Sequence, residues 1–275
     1  MAGRIALVGS GEYLPVMHDV EAWLLEGQPP VYVQLATAAA PEGQRSLDRW
    51  HSLGRDAADR LGVRQVIVDV RTPRDANDPA MASLISGAGL IYLSGGNPGY
   101  LARTLAGSRV WRAIRQAWRD GASLAGCSAG AMALGGYVPD FRHPRSGGAP
   151  GLGILPDVRV LPHFDRFTKW VPDFALRPLV REDRAMEHSP VVIGIDEDTA
   201  LLGEASSGEG SDADNETRWP FRARGRSSAW RIGTADAGEP VPGDHDPDTT
   251  VRRQRIVGVI GLRVATGFEP TTTSM

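Results

Sequence analysis

A short apolar run, Ile5 to Val8, opens the chain, and runs of the same kind return at intervals over the first half of the sequence. "RIALVGSG", "VYVQLATAAA", "RQVIVDV", "GLIYLSGG" and "ASLAGCS" are apolar segments bounded by glycine or polar residues. Between them lie stretches with helical spacing. These are His18 to Glu26, with Val20, Trp23 and Leu24 as the apolar positions; "EGQRSLDRWHSLGRDAADRLG", closed by Gly62; a short piece near "DPAMASLIS"; "GYLARTLAG"; and "RVWRAIRQAWRDG". Glycine just past the last periodic residue is a normal helix stop. Strands alternating with helices predict an α/β fold with a mostly parallel sheet. Strands that are apolar throughout predict helices on both faces, hence three layers. Ligands of such sheets bind beyond the carboxyl ends of the strands. That rule sets Ser10, Gly95 to Asn97 and Ser128 along one rim.

After Val138 the pattern loosens. "PDFRHPRSGGAPGLG" reads as a loop placed to overhang the rim. "ILPDVRVLPHF" and "PVVIGIDEDTALLGE" read as two further strands. From Ala205 the chain turns small, acidic and polar, and a mobile loop is expected at about 205–217. "WPFRARGRSSAWRIG" has the pattern of a last strand pair. The expected organisation is one α/β domain over 1–233, followed at 234–275 by a disordered or atypical tail whose apolar run, Ile256 to Leu262, has no evident partner.

Composition narrows the function classes. With 41% hydrophobic and 23% charged residues the chain can bury a sizeable core, and its net charge of −3 argues against a nucleic-acid partner. No apolar run approaches the roughly 20 residues that span a bilayer, and the N-terminal apolar segment is too short for a signal peptide. One cysteine excludes an internal disulfide and a multi-cysteine metal site. A cytoplasmic protein without a cofactor is expected.

Chemistry enters at "LAGCSAGAMA". Gly126-Cys127-Ser128-Ala129-Gly130 fits the G-x-S-x-G nucleophile elbow with Ser128 at its apex. A turn this tight from strand to helix strains the central residue and projects its side chain into the cleft. Glycine is needed on both sides because a Cβ there would collide with backbone. The first N–H groups of the following helix lack intrahelical acceptors, so they suit an oxyanion. If Ser128 is the apex, Cys127 ends the strand and points into the layer beneath, as a small buried hydrophobe. A Cys127 apex would need glycine at 125 and 129, and both are alanine. Alone, the motif also fits an inert turn.

A serine nucleophile needs a base and an acid. Of the six histidines, His51 and His245 lie in polar stretches, and His18 and His188 look like surface residues. His143 falls in the Arg/Pro-rich loop, which would position a base poorly. His163 ends the strand "VRVLPHF", where a rigid element can hold an imidazole, though a plain half-buried strand-end histidine fits the same spacing. Asp196, Glu197 and Asp198 follow an apolar strand, and any one of them can orient the imidazole.

"YLSGGNPGYL", "AGCSAGAMAL", "VLPHFD" and "GIDEDTALL", in that order over residues 4–204, together resemble the serine-peptidase family of dipeptidase E (α-aspartyl dipeptidase) and cyanophycinase. That resemblance implies a class I glutamine amidotransferase-like, flavodoxin-like fold with serine in place of cysteine. It implies Ser128 as nucleophile, His163 as base and Glu197 as acid. It also implies an oxyanion hole from the Gly96 and Ala129 N–H groups, with Asn97 lining the substrate side. The segment after Glu204 and the final stretch of chain have no counterpart in the family's core. Family members favour aspartyl bonds, so a cation is expected to read the substrate carboxylate. Arg142, Arg145, Arg166 and Lys169 lie near the motifs, and Arg166, three residues past His163, is the first candidate. The expected partner is a small peptide, with no nucleic acid and no membrane; a homodimer is the expected assembly. No metal or other cofactor is required. Two readings of other classes stand beside this one: a thiol-dependent amidotransferase-like enzyme using Cys127, and a binding protein of the same fold that has lost its chemistry.

Overall fold

In a computed structural model the described residues are 1–140, 148–170, 176–180, 190–205, 218–234 and 251–266. The expected parallel core is present. β1 (Ile5–Val8), β2 (Val31–Leu35), β3 (Arg64–Ile67), β4 (Leu90–Leu93) and β5 (Ser123–Cys127) run parallel in the order β1-β5-β4-β2-β3. Helices α1 (His18–Leu25) and α2 (Gln44–Leu61) cover one face, packing Val20, Leu24, Ala57 and Ala58 against Ala6, Val8, Leu90 and Tyr92. The other face takes the short α3 (Pro73–Ala76) and α4 (Pro79–Ser83), then α5 (Pro98–Leu105), α6 (Arg109–Arg119) and α7 (Ala129–Leu134). Both layers are apolar because successive residues of a buried strand point to opposite faces. Thus Ile5, Leu7 and Leu124 join one cluster, while Ala6, Val8, Ala125 and Cys127 join the other. Gly62 stops α2 at φ 66 and supplies the left-handed cap that the sequence signals.

The second half of the chain departs from expectation in three ways. β6 (Tyr137–Val138) and β7 (Ala149–Pro150) form a small ribbon, and β8 (Val158–Pro162) is followed by α8 (Phe164–Trp170) and the one-turn α9 (Arg177–Val180). "VVIGIDEDTALLG" is not one strand but two, β9 (Val191–Ile195) and β10 (Thr199–Gly203), broken at Asp198, whose φ is 55. β8 and β9 pair in parallel in a separate four-stranded sheet, whereas β10 pairs antiparallel with β1 in the main one. The predicted last strand pair, β11 (Arg218–Gly225) and β12 (Ala229–Thr234), does not pair with itself. β11 extends the main sheet and β12 joins β9.

The expectation of a separate tail is corrected for residues 251–266. β13 (Val251–Arg255) pairs with β12 and β14 (Val259–Arg263) with β11, so the main sheet reads β14-β11-β10-β1-β5-β4-β2-β3 and the smaller one β13-β12-β9-β8. The apolar run from Ile256 onward finds its partners there: Ile256, Leu262 and Val264 are buried in the main core. Residues 206–217, most of the expected mobile loop, and 235–250 and 267–275 lie outside the described residues. No helix among the described residues is long and apolar enough to cross a membrane.

Beneath β1 and β4 lies a polar cluster that the sequence did not signal. Glu21 of α1 is fully buried, and its Oε1 accepts from the Tyr13 N–H and the Tyr32 hydroxyl, each at 3.1 Å. Among the described residues its Oε2 has no hydrogen-bond partner. Burial raises the carboxyl from 4.5 to about 7, against the smaller opposing pull of those two donors. A folded-state value above the unfolded one means that the fold holds the proton, so stability falls as pH rises from about 4.5 to about 7. Glu21→Gln removes that dependence. We expect its melting temperature to gain on the parent by more at pH 8 than at pH 5, with about 3 kcal/mol as the upper bound of the gain. An equal difference at both pH values would refute the assignment.

Candidate active site

The elbow is built as the glycine register requires. β5 ends at Cys127, Ser128 turns the chain with φ 49 and ψ −106, and α7 starts at once. A Cβ on Gly126 would lie 2.5 Å from the Gly130 carbonyl carbon, and one on Gly130 would lie 2.2 Å from the Leu93 carbonyl oxygen. Neither position has room for a side chain. Cys127 continues the alternation of β5 and points away from Ser128 into the tyrosine-rich layer, fully buried. There its Sγ donates to Glu12 Oε2 at 2.6 Å, and burial pushes the thiol well above its usual range.

His163 and Glu197 meet because β8 and β9 are in parallel register, Pro162 opposite Ile195, so both chains leave the sheet at the same level. His163 sits between β8 and α8 at φ 50, much as Ser128 sits between β5 and α7. The Phe164 side chain then packs over Gly194, where a Cβ would lie only 2.5 Å from the ring. The result is a hydrogen-bonded line. Ser128 Oγ lies 3.0 Å from His163 Nε2, and His163 Nδ1 lies 2.9 Å from Glu197 Oε1. In the tautomer that protonates Nδ1, the imidazole donates to the carboxylate and its Nε2 is left to accept the serine proton.

Of the three adjacent carboxylates, only Glu197 reaches the ring. Asp196 is buried and turned the other way, with Oδ2 accepting from Ser227 Oγ and the Ser228 N–H at 3.1 Å and from the Trp230 indole at 3.2 Å. Asp198 faces Arg226 at 3.7 Å, and its N–H donates to Ser10 Oγ at 3.4 Å. Sequence reasoning missed Asp165, whose Oδ1 accepts from the Glu197 N–H at 3.0 Å and fixes the Glu197 backbone. It also missed Glu12, although a carboxylate just past a buried strand in "GSGEY" is a visible signal.

Gly96 lies in the turn after β4 at φ 135, pressed so closely on the Ala38 carbonyl that a Cβ would lie 2.4 Å away. Asn97 caps α5, its Oδ1 accepting from the Tyr100 N–H at 2.9 Å. Ala129 is the first residue of α7. Arg166 is 69% exposed and donates to Glu197 Oε1 at 3.2 Å, so the structure sets it beside the imidazole's own partner. Lys169 is exposed on the same helix. His51 is half-buried rather than solvated, and burial lowers its pKa. Arg142, Arg145, His143, His188 and His245 fall outside the described residues. Among the described residues no group of three acidic, histidine or cysteine side chains is placed to hold a metal ion.

Comparison with known proteins places the chain in a family. The chain is 31% identical over 182 residues to cyanophycinases from Synechococcus elongatus and Thermosynechococcus vestitus, matches that cover 60% of this chain and 52% of theirs. It therefore spans about half the length of the curated relatives it matches. A crystal structure of a peptidase from an acI-B1 Actinobacterium superposes with a TM-score of 0.75 at 36% identity, over 95% of this chain and 97% of that one. A putative peptidase E protein from Listeria monocytogenes EGD-e shares the fold, with a TM-score of 0.52 at 17% identity, over 82% of this chain and 100% of that one. The sequence model of peptidase family S51 matches residues 45–209, a span that holds Ser128, His163 and Glu197 together with Gly96 and Ala129, and the chain belongs to that family.

Proposed function

We propose that the protein is a serine-type peptidase that hydrolyses short peptides, among them aspartyl-X dipeptides, through an acyl-enzyme on Ser128. The observation that carries this reading is the unbroken line from Ser128 Oγ through the His163 ring to Glu197. His163 Nε2 takes the hydroxyl proton as Oγ attacks the peptide carbonyl, then returns it to the leaving amine. Water enters by the same route, His163 acting again as base, and frees the acid. Glu197 holds the ring in the tautomer that can accept and balances its charge once protonated. The Gly96 and Ala129 N–H groups receive the oxyanion, a contribution of about 3 kcal/mol per donor.

Arg166 is the residue proposed to read a substrate carboxylate. Its fork has five donors, and the contact with Glu197 occupies one nitrogen. Asn97, exposed at the same rim, is the second candidate for the substrate side. The cyanophycinase relatives and the aspartyl preference of dipeptidase E both point to substrates bearing aspartate. The alternative nucleophile, Cys127, is disfavoured by its complete burial and by a thiol held in its protonated form.

A fluorophosphonate probe is expected to label the parent and Cys127→Ala but not Ser128→Ala, while iodoacetamide leaves the folded parent active. Labelling that survives loss of the serine would overturn the assignment. Glu197→Gln should lower kcat by about 10³- to 10⁴-fold, with the protein still folded, because the imidazole loses its orienting charge. Against a dipeptide panel, the parent should prefer an N-terminal aspartate, and Arg166→Ala should raise KM for those substrates by about tenfold while sparing neutral ones. A parent that shows no preference for aspartate would remove the substrate assignment and leave the triad standing.

A further inference from the structure

Glu12 is a buried carboxylate that the proposed reaction leaves unused. It stands in the turn after β1, 6% exposed, and both oxygens are engaged. Oε1 accepts from the Gly95 N–H at 3.2 Å, and Oε2 accepts from Cys127 Sγ at 2.6 Å. Gly95 immediately precedes Gly96, and Cys127 lies one peptide before Ser128 and two before Ala129. One side chain therefore bridges the two turns that carry the proposed oxyanion donors.

Each turn is pinned on its other side by backbone. The Asn97 N–H donates to the Ala38 carbonyl at 2.8 Å, and the Ser128 N–H donates to the Val8 carbonyl at 2.9 Å. The Gly96 amide thus lies between two anchored amides, with Glu12 supplying one of the anchors. The β1 turn is itself fixed. Tyr13 holds φ 65, shares a 2.7 Å hydrogen bond between its hydroxyl and Ser94 Oγ, and donates its N–H to Glu21. A bulky residue holds a left-handed conformation only where its surroundings over-determine it.

We infer that Glu12 is a positioning residue that sets the separation of the Gly96 and Ala129 N–H groups, an inference that rests on the serine-peptidase reading above. Oxyanion donors act only within a narrow distance of the oxygen that becomes charged. Two loops from different strands hold that spacing only if something ties them together. Glu12 offers one acceptor oxygen to each turn, at 3.2 Å from the Gly95 nitrogen and at 2.6 Å from Cys127 Sγ, and a single short side chain that holds both leaves little play between them. A merely structural Glu12 would instead fix how much protein folds and leave each folded site at full speed.

The experiment compares Glu12→Gln, Glu12→Ala and the double variant Glu12→Gln/Cys127→Ser in the full chain. Fluorophosphonate labelling driven to saturation counts competent sites, and kcat and KM are then measured per labelled site on a peptide the parent cleaves. Glutamine keeps an acceptor for the Gly95 N–H but turns an amide N–H₂ toward the thiol, a poor acceptor. We expect Glu12→Gln to lose about 10²-fold in kcat per site, with KM within about threefold of the parent. In the double variant the amide regains a hydroxyl acceptor, and at least about tenfold of the loss should return. Because Glu12→Ala can fail to fold, the near-isosteric glutamine variant decides the question. Parental kcat per site with only fewer labelled sites or a lower melting temperature would overturn the inference. A double variant no faster than Glu12→Gln would overturn the bridging role. A parent that takes no probe on Ser128 would overturn the serine-peptidase reading first, a result read on the parent alone.

Discussion

How closely α7 can approach β4 and β5 decides the rest of the site. Gly126 and Gly130 face each other and the Leu93 carbonyl at distances that exclude any Cβ, so the helix begins without a connecting loop. A chain that must reverse within one residue has few conformations open to it, and Ser128 takes one that side chains rarely adopt. Two consequences follow from this single backbone constraint. The serine hydroxyl is lifted off the sheet toward the strand ends, and the preceding cysteine stays in strand alternation and is buried on the opposite layer. Neighbours in sequence thereby meet different surroundings: Ser128 meets an imidazole, and Cys127 is buried beside Glu12, where burial first and the carboxyl second push the thiol above its usual range.

Backbone strain follows the same geography. Among the described residues, four non-glycine positions have positive φ: Tyr13, Ser128, His163 and Asp198. All four are at turns on the rim where the site lies. Strain of this kind costs of order 1–3 kcal/mol per residue and persists only where the surroundings hold it. Here the holders can be named. The Val8 carbonyl accepts from the Ser128 N–H, Ser10 Oγ accepts from the Asp198 N–H, Glu21 accepts from the Tyr13 N–H, and α8 leaves from the His163 carbonyl. Ser128, His163 and the turn that carries Glu197 are therefore fixed by the fold itself, which is the preorganisation that the proposed triad requires.

Much of this was legible in the sequence, for reasons that can be stated residue by residue. β1, β2, β4 and β5 are buried on both faces, so their apolar runs stood out, and the α2 boundary could be read from Gly62. The elbow could be read because glycine at 126 and 130 answers a steric demand that no other residue meets. The partners of Ser128 needed more than spacing, because a strand-end histidine and three adjacent carboxylates are ordinary features. What selects Glu197 is the Pro162–Ile195 register together with Asp165 on its backbone, both of them long-range. The burial of Glu12 and Glu21 was not legible for a related reason. A carboxylate in a turn, as Glu12, or on a helix, as Glu21, reads as solvated until tertiary packing covers it. The last strands were misread because their pairing is non-local: β11 and β12 look like a hairpin along the chain, yet a change of sheet divides them.

That change of sheet explains why the final strands matter to a site more than 50 residues earlier in the chain. Ser128 follows a strand of the main sheet, whereas His163 follows one of the smaller sheet, so their 3.0 Å contact depends on how the two sheets are joined. Three consecutive stretches cross between them: β9 to β10 at the acidic turn, β11 to β12 at Arg226–Ser228, and β13 to β14 at Ile256–Gly258. The crossings are fastened to one another. Asp196, in the first, accepts from Ser227, Ser228 and Trp230 in and beyond the second, and the Ile256 N–H, in the third, donates to the Ala229 carbonyl. A single crossing would leave the smaller sheet free to pivot about its own backbone. Three crossings side by side, tied by a buried aspartate, resist such a pivot, and the acid of the proposed triad sits within the first of them. Residues 251–266, which look like a tail in sequence, are by this geometry part of the frame that holds His163 against Ser128.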